Sequence, residues 1–154
     1  MKLNNIDIRI LRELQKDADQ TNIALAEKVG LSAPACLKRV QRLKKSGIIS
    51  RIIAVVSTES LKRRLNIVVE VKMKSDHQVL SKEFINLIAA VPEVQQCYQV
   101  TGDVDFVLII NVADIFEYEL FCDNILHNHS NMHKFTTLVS LKCTKFDICQ
   151  HDFT

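Results

Sequence analysis

"TNIALAEKVGLSAPACLKRVQRLKKSG", residues 21 to 47, is the stretch on which the fold turns. Its first nine residues place apolar side chains at helical spacing, with Thr21 positioned to cap their start and Gly30 to end them. A second helix begins after Leu31. There Ser32 can accept a hydrogen bond from a first-turn N–H, Pro34 is tolerated because its missing donor would go unpaired anyway, and Gly47 closes the segment. Only "GLS" separates the two, a glycine-containing turn of three residues, as in a helix-turn-helix.

Projected at about 100° per residue, the second of these helices divides into two sides. Cys36, Leu37, Val40 and Leu43 cluster on one; Pro34, Ala35, Lys38, Gln41, Arg42 and Lys45 lie on the other, with Arg39 on the flank. Working outward, "LNNIDIRILRELQK" (3 to 16) carries Leu3, Ile6, Ile10, Leu11 and Leu14 as the stripe of an amphipathic helix, giving three helices in under fifty residues. Downstream, "IISRIIAVVS" (48 to 57) is rich in β-branched residues and is predicted to be a strand in the position of a wing.

Charge sharpens this reading. Residues 1 to 65 hold fourteen Lys/Arg against six Asp/Glu, a net of +8, whereas residues 66 to 154 hold six against twelve, a net of −6. A basic helix face is ordinarily just solvated, but a one-sided face on a tri-helical unit with a short glycine turn, in a basic half, fits a phosphate backbone. The expected partner is double-stranded DNA. Lys38, Arg42 and Lys45 are assigned to phosphates, Arg39 and Arg51 to the same surface, and the helix start at Ser32, Pro34 and Ala35 to base edges.

The acidic half has a different grammar. "NIVVEVKMK" (66 to 74) alternates Ile67, Val69, Val71 and Met73 against Val68, Glu70, Lys72 and Lys74, a half-buried strand. "QVLSKEFINLIAAV" (78 to 91) places Val79, Leu80, Phe84, Leu87, Ile88 and Val91 on one side of a helix that ends before Pro92. Strands follow at 94 to 100 and 105 to 112, the second apolar enough to be covered on both faces, then a helix at 114 to 126 and a strand at 135 to 143. The order β-α-β-β-α-β is that of a ferredoxin-like unit, so the whole is α+β. The boundaries drawn are 1–56 for the DNA-binding domain, 57–65 for a polar linker, 66–145 for the second domain and 146–154 for a tail.

Two loops carry chemistry. In "VTGDVDF" (100 to 106), Gly102 would let backbone N–H groups approach a carboxylate, and Asp103 or Asp105 could accept an ammonium; equally, these residues could serve only to make a hairpin turn. In "HNHSNMH" (127 to 133), His127, His129 and His133 lack a carboxylate or thiolate at a regular offset, so no metal is expected. No nucleophile-base pairing, phosphate loop or dinucleotide fingerprint is present, and no cofactor is expected. Five scattered cysteines without a Cys-x-x-Cys pair suit reduced thiols. The start, "MKLNNIDIRIL", mixes charge into its apolar residues unlike a secretory leader, and no apolar run approaches the roughly 20 residues of a membrane span. A cytoplasmic protein without membrane association is the expectation.

With Asp7, "IL" at 10 to 11, "LA" at 25 to 26, "VGLS" at 29 to 32, Cys36, Arg39, "RL" at 42 to 43 and "GII" at 47 to 49 in order, the chain resembles the Lrp/AsnC family of feast/famine regulators from residue 3 to about 145. Departures are Asn4, where the family often has Asp, and Ala18 and Asp19, where it often has Gly-Arg. The resemblance implies a winged helix-turn-helix joined to a regulation-of-amino-acid-metabolism domain. It also implies a homodimer assembling to tetramers or octamers, and an amino acid effector bound between dimers by Gly102, Asp103, Val104 and Asp105, with Leu138, Val139 and Ser140 of the last strand contributing. Two alternatives stand beside it: an enzyme like the siroheme decarboxylases, which share this two-part architecture, and a DNA-binding protein without a small-molecule effector.

Overall fold

The computed structural model describes residues 2–56, 65–75 and 78–147. The chain divides into two compact units, with cuts at Val55/Val56 and at Thr144/Lys145, so that the second unit is Val56–Thr144. The expected linker at 57–65 falls outside the described residues except for Leu65, and so does the tail beyond residue 147.

The first unit has three helices, α1 (Asn5–Lys16), α2 (Asn22–Val29) and α3 (Ala33–Lys45). α1 starts with a reciprocal cap that the sequence reading missed: Asn4 Oδ1 accepts from Asp7 N–H at 2.9 Å, and Asp7 Oδ2 accepts from Asn4 N–H at 3.3 Å. The signal was present as a capping residue followed three positions later by a carboxylate, with Asp in place of the usual Glu or Gln. Thr21 caps α2 by accepting from Ala24 N–H at 3.2 Å. Gly30 ends α2 at φ +71°, and Leu31 N–H reaches back to the Ala26 carbonyl at 2.9 Å, closing the turn into α3. Ile10, Leu11, Leu25, Ala26, Val29, Cys36 and Leu43 form the core of this unit.

Three expectations here are corrected. Ser32 occupies the N-cap position but its hydroxyl makes no cap hydrogen bond; Pro34 in the first turn has removed one of the N–H groups such a cap would use. Leu37 is 46% exposed, because it lies about 100° round the helix from Cys36. Of the strand expected over 48–57, the described residues 48–56 show none: Ile48 and Ile49 belong to the turn that closes α3, and residues 50–56 have no ladder partner among the described residues. β-branched residues favour a strand only where a neighbouring strand receives them.

The second unit is a four-stranded antiparallel sheet in the order β2-β3-β1-β4, formed by β1 (Leu65–Met73), β2 (Val94–Gln99), β3 (Phe106–Val112) and β4 (Met132–Val139). α4 (Gln78–Ala89) and α5 (Ile115–Phe121), the latter continued by a π-helical turn at Cys122–His127, cover one face. Alternation does what it must in β1 and β3: Ile67, Val69, Val71 and Met73 point into the core with Phe106, Leu108, Ile110 and Val112, against Phe84, Ile88, Tyr118, Phe121 and Leu126. Phe84 and Phe106 meet with ring centroids 5.0 Å apart.

The other face of the sheet is uncovered in the single chain. Val68 pairs with Ile109 on one side and Leu138 on the other, and Val107 pairs with Tyr98; β3 is therefore not covered on both faces as its apolar run suggested. Val79 and Leu87 depart from the expected α4 stripe, with Val79 66% exposed, since it lies about 140° from Phe84 on the helix. β4 begins at Met132 and ends at Val139, short of the expected 135–143. After Ser140 N–H bonds the Asn66 carbonyl at 2.8 Å, β1 has almost run out and Leu141 is fully exposed.

Candidate functional site

On α3 the exposed residues are Pro34, Leu37, Lys38, Gln41, Arg42, Lys44 and Lys45, with Ser32 and Arg51 also exposed and Ala35 and Arg39 half-buried. Two bonds outside the core set the pose of α3 and its neighbour. Asn22 Nδ2 donates to the Ala33 carbonyl at 2.7 Å, tying the start of α2 to the start of α3, and Arg9 donates to the Lys28 carbonyl at the end of α2 at 3.1 Å. The helix start thus stands open, with Ser32, Pro34 and Ala35 side by side on its first turn.

The cations of α3 are not equivalent. Arg39 and Arg42 both donate to the carboxylate of Asp7, at 3.0 Å for Arg39 and at 2.9 and 2.7 Å for Arg42. Asp7 is fully buried. Burial pushes its carboxyl up, but the Asn4 N–H, the Arg39 hydrogen bond and the two guanidinium charges outweigh that and hold it below its ordinary value. Sequence reasoning placed Asp7 only within a family pattern; its spacing of 32 and 35 residues from its partners carries no local signal.

In the second unit, the loop after β2 borders a recess of about 270 Å³ lined by Met73 and Ser75 at the end of β1, Ser81 on α4, and Gln99, Thr101, Gly102, Val104, Asp105 and Phe106. Gly102, at φ +120°, holds a conformation that side chains resist. Asp105 is built into the sheet edge: its N–H donates to the Val71 carbonyl at 2.8 Å, and its Oδ2 accepts from Met73 N–H at 2.7 Å, with Lys72 Nζ 4.0 Å away. Asp103 is exposed at the tip. Met73, Ser75 and Ser81 had no signal in the sequence, because topology alone brings them beside the loop.

The structure does not bring all the expected effector residues together. Val139 pairs with Ile67 and Leu138 with Val68, whereas the Asp105 end of β3 lies against Val71 and Met73. Five to six residues of β1, from Val68 and Ile67 to Met73, separate the two groups, about 17 to 20 Å. Within one chain, Leu138, Val139 and Ser140 lie at the opposite end of the sheet from Gly102–Asp105.

The histidines of "HNHSNMH" also separate. The His127 ring packs edge-on against Phe135 and the His129 ring against Phe84, both at 5.2 Å, while His133 is exposed on β4. No group of three metal-ligating side chains occurs among the described residues. Among those residues, too, no helix is long and apolar enough to cross a membrane.

Residues 3–50 match the family model described as winged helix-turn-helix DNA-binding, and residues 66–147 match the Lrp/AsnC ligand binding domain. A leucine-responsive regulatory protein of Haemophilus influenzae is 42% identical over 116 residues, 75% of this chain and 70% of its own length. Another, from Rhizobium meliloti, is 33% identical over 150 residues, 97% of this chain and 96% of its own. Among solved structures, an AsnC family transcriptional regulator from Agrobacterium tumefaciens superposes with a TM-score of 0.87 at 27% identity, covering 96% of each chain. A transcriptional regulator from Neisseria meningitidis in complex with L-Met superposes with a TM-score of 0.86 at 28% identity, covering 96% of this chain and 95% of that one. These relatives are regulators, which sets the enzyme alternative aside. The helix-turn-helix with its basic third helix, and the four-stranded unit with its ligand-binding match, belong to one protein: a transcriptional regulator of the Lrp/AsnC family.

Proposed function

We propose that this regulator binds specific DNA sites as a homodimer or a tetramer or octamer built from it, and that a free α-amino acid tunes that binding. The observation that carries the effector reading is the recess beside Gly102. At about 270 Å³ it falls just under the roughly 300 to 1,000 Å³ of sites for drug-sized ligands, a size for something small. Backbone at Gly102 suits a carboxylate. Of the two carboxylates proposed for the ammonium, Asp105 lines the recess and keeps its Oδ1 for a second partner while Oδ2 accepts from Met73 N–H, and Asp103 stands exposed on the same loop outside the lining. The L-Met bound by the Neisseria relative supports the chemical class. Leu138, Val139 and Ser140 join such a site only from another subunit.

On the DNA side, Lys38 and Lys45, with Arg51, meet phosphates, and the first turn of α3 at Ser32, Pro34 and Ala35 meets base edges. A dimer would present two such helices to successive major grooves of a pseudo-palindromic site. A cytoplasmic location, where such a regulator meets DNA, is part of the same proposal.

The effector reading is tested by melting the full chain with each of the twenty amino acids at millimolar concentration. One binding at 100 times its Kd adds about 2.7 kcal/mol, a rise of several degrees in Tm. A panel that shifts neither Tm nor DNA affinity overturns the effector and leaves a DNA-binding protein without one.

A further inference from the structure

The recognition surface of α3 carries an internal brake. Of its five cations, Lys38, Arg39, Arg42, Lys44 and Lys45, two are already committed to a fully buried carboxylate. Arg42 grips both oxygens of Asp7, at 2.9 and 2.7 Å, and Arg39 adds a third contact at 3.0 Å. Asn4 N–H supplies a fourth at 3.3 Å. Yet Arg42 is not hidden: its side chain is 49% exposed, against 27% for Arg39. It stands between two anions, the one it holds and any phosphate that approaches. Both Arg42 bonds leave from Nη2, which bridges the two oxygens; such charge-assisted hydrogen bonds are among the strong ones, and removing one partner leaves a buried carboxylate less compensated.

We propose that Asp7 is a specificity-determining positioning residue, which withholds Arg42 from the DNA backbone. On α3 itself, sequence-independent affinity then comes from Lys38, Lys44 and Lys45. Non-specific binding is supplied almost wholly by phosphate neutralisation, and each phosphate contact contributes about 0.9 to the slope of log K against log salt. Specificity is the ratio of specific to non-specific affinity, so a cation kept off the backbone raises that ratio without any new base contact. The first turn of α3, small and lightly functionalised, gains most from such restraint. The inference rests on α3 facing the DNA, and the experiment separates the two.

The full chain is titrated with a fluorescent duplex of scrambled sequence between about 50 and 200 mM salt. Asp7→Asn is expected to bind this duplex severalfold more tightly at the low end, with a slope steeper by about 0.9 per subunit. Arg42→Gln, which leaves Asp7 with Arg39, is expected to keep the wild-type slope. A purely structural role for Asp7 would lower stability without steepening the slope. The inference is overturned if folded Asp7→Asn shows a wild-type or shallower slope, or if Arg42→Gln loses about 0.9 per subunit, which would make Arg42 a phosphate contact. Should Asp7→Asn fail to fold, Arg42→Gln decides alone. A wild-type slope near zero overturns the placement of α3 on DNA, and this inference with it.

Discussion

Asp7 joins three jobs in one side chain: it completes the cap of α1, closes the core under α3 and fixes two guanidiniums. Its carboxyl is held below its ordinary value of 3.8, so the ionised form is favoured by folding. The stability it contributes is complete above that ordinary value, fades as pH falls below it, and is gone once pH passes the lower folded value. Urea midpoints measured from pH 7 down to pH 3 should therefore fall less steeply for Asp7→Asn, which starts lower, than for the wild type. A parallel pair of curves would remove Asp7 from the acid transition. At this scale the sequence was read correctly where neighbours decide the outcome, as at Thr21 and Gly30. It was misread where a local rule met a competing one. Ser32 has the right type for a cap, but Pro34 took away a donor; Leu37 has the right type for the core, but the helix turns it outward. The Asp7 pairs could not be read from spacing at all, because Arg39 and Arg42 are brought to it by packing of the helices.

Elements show the same division. The three N-terminal helices and the alternation of β1 were legible because each is fixed by its own period and punctuation. Strand edges were not. β4 starts earlier and ends earlier than its composition suggests, following its partner β1, and residues 50–56 have strand composition without strand pairing. The turn between α2 and α3 is the element boundary on which the DNA-binding unit depends. Gly30 sits at φ +71° with nothing within 4 Å of where a Cβ would stand, so the penalty for a side chain there is conformational and not steric. Gly30→Ala should lower stability by about 1 to 2 kcal/mol, and Gly30→Asn by less, because Asn tolerates this conformation better. Equal losses for the two in urea unfolding would point to a contact in place of backbone strain.

In the whole molecule, what the sequence could not disclose is what lies outside one chain. The apolar run of β3 was read as covered twice, and the chain covers it once; Val68, Ile109, Leu138, Val107 and Tyr98 are left on the open face of the sheet. We propose that this open face is where the homodimer forms. Val68→Arg should give monomers by sedimentation at concentrations where the wild type is dimeric, and should also abolish the Tm response to effector; monomers that still respond would separate sensing from assembly. The separation of Leu138–Ser140 from Gly102–Asp105 by the length of β1 then takes on a meaning beyond geometry. Under the proposed reading, in which the two half-sites come from different chains, the sensor would obey mass action in its own subunits as well as in its ligand. Its threshold would then be set jointly by nutrient level and by copy number, so that a cell would retune what it counts as plenty by changing how much of the regulator it makes.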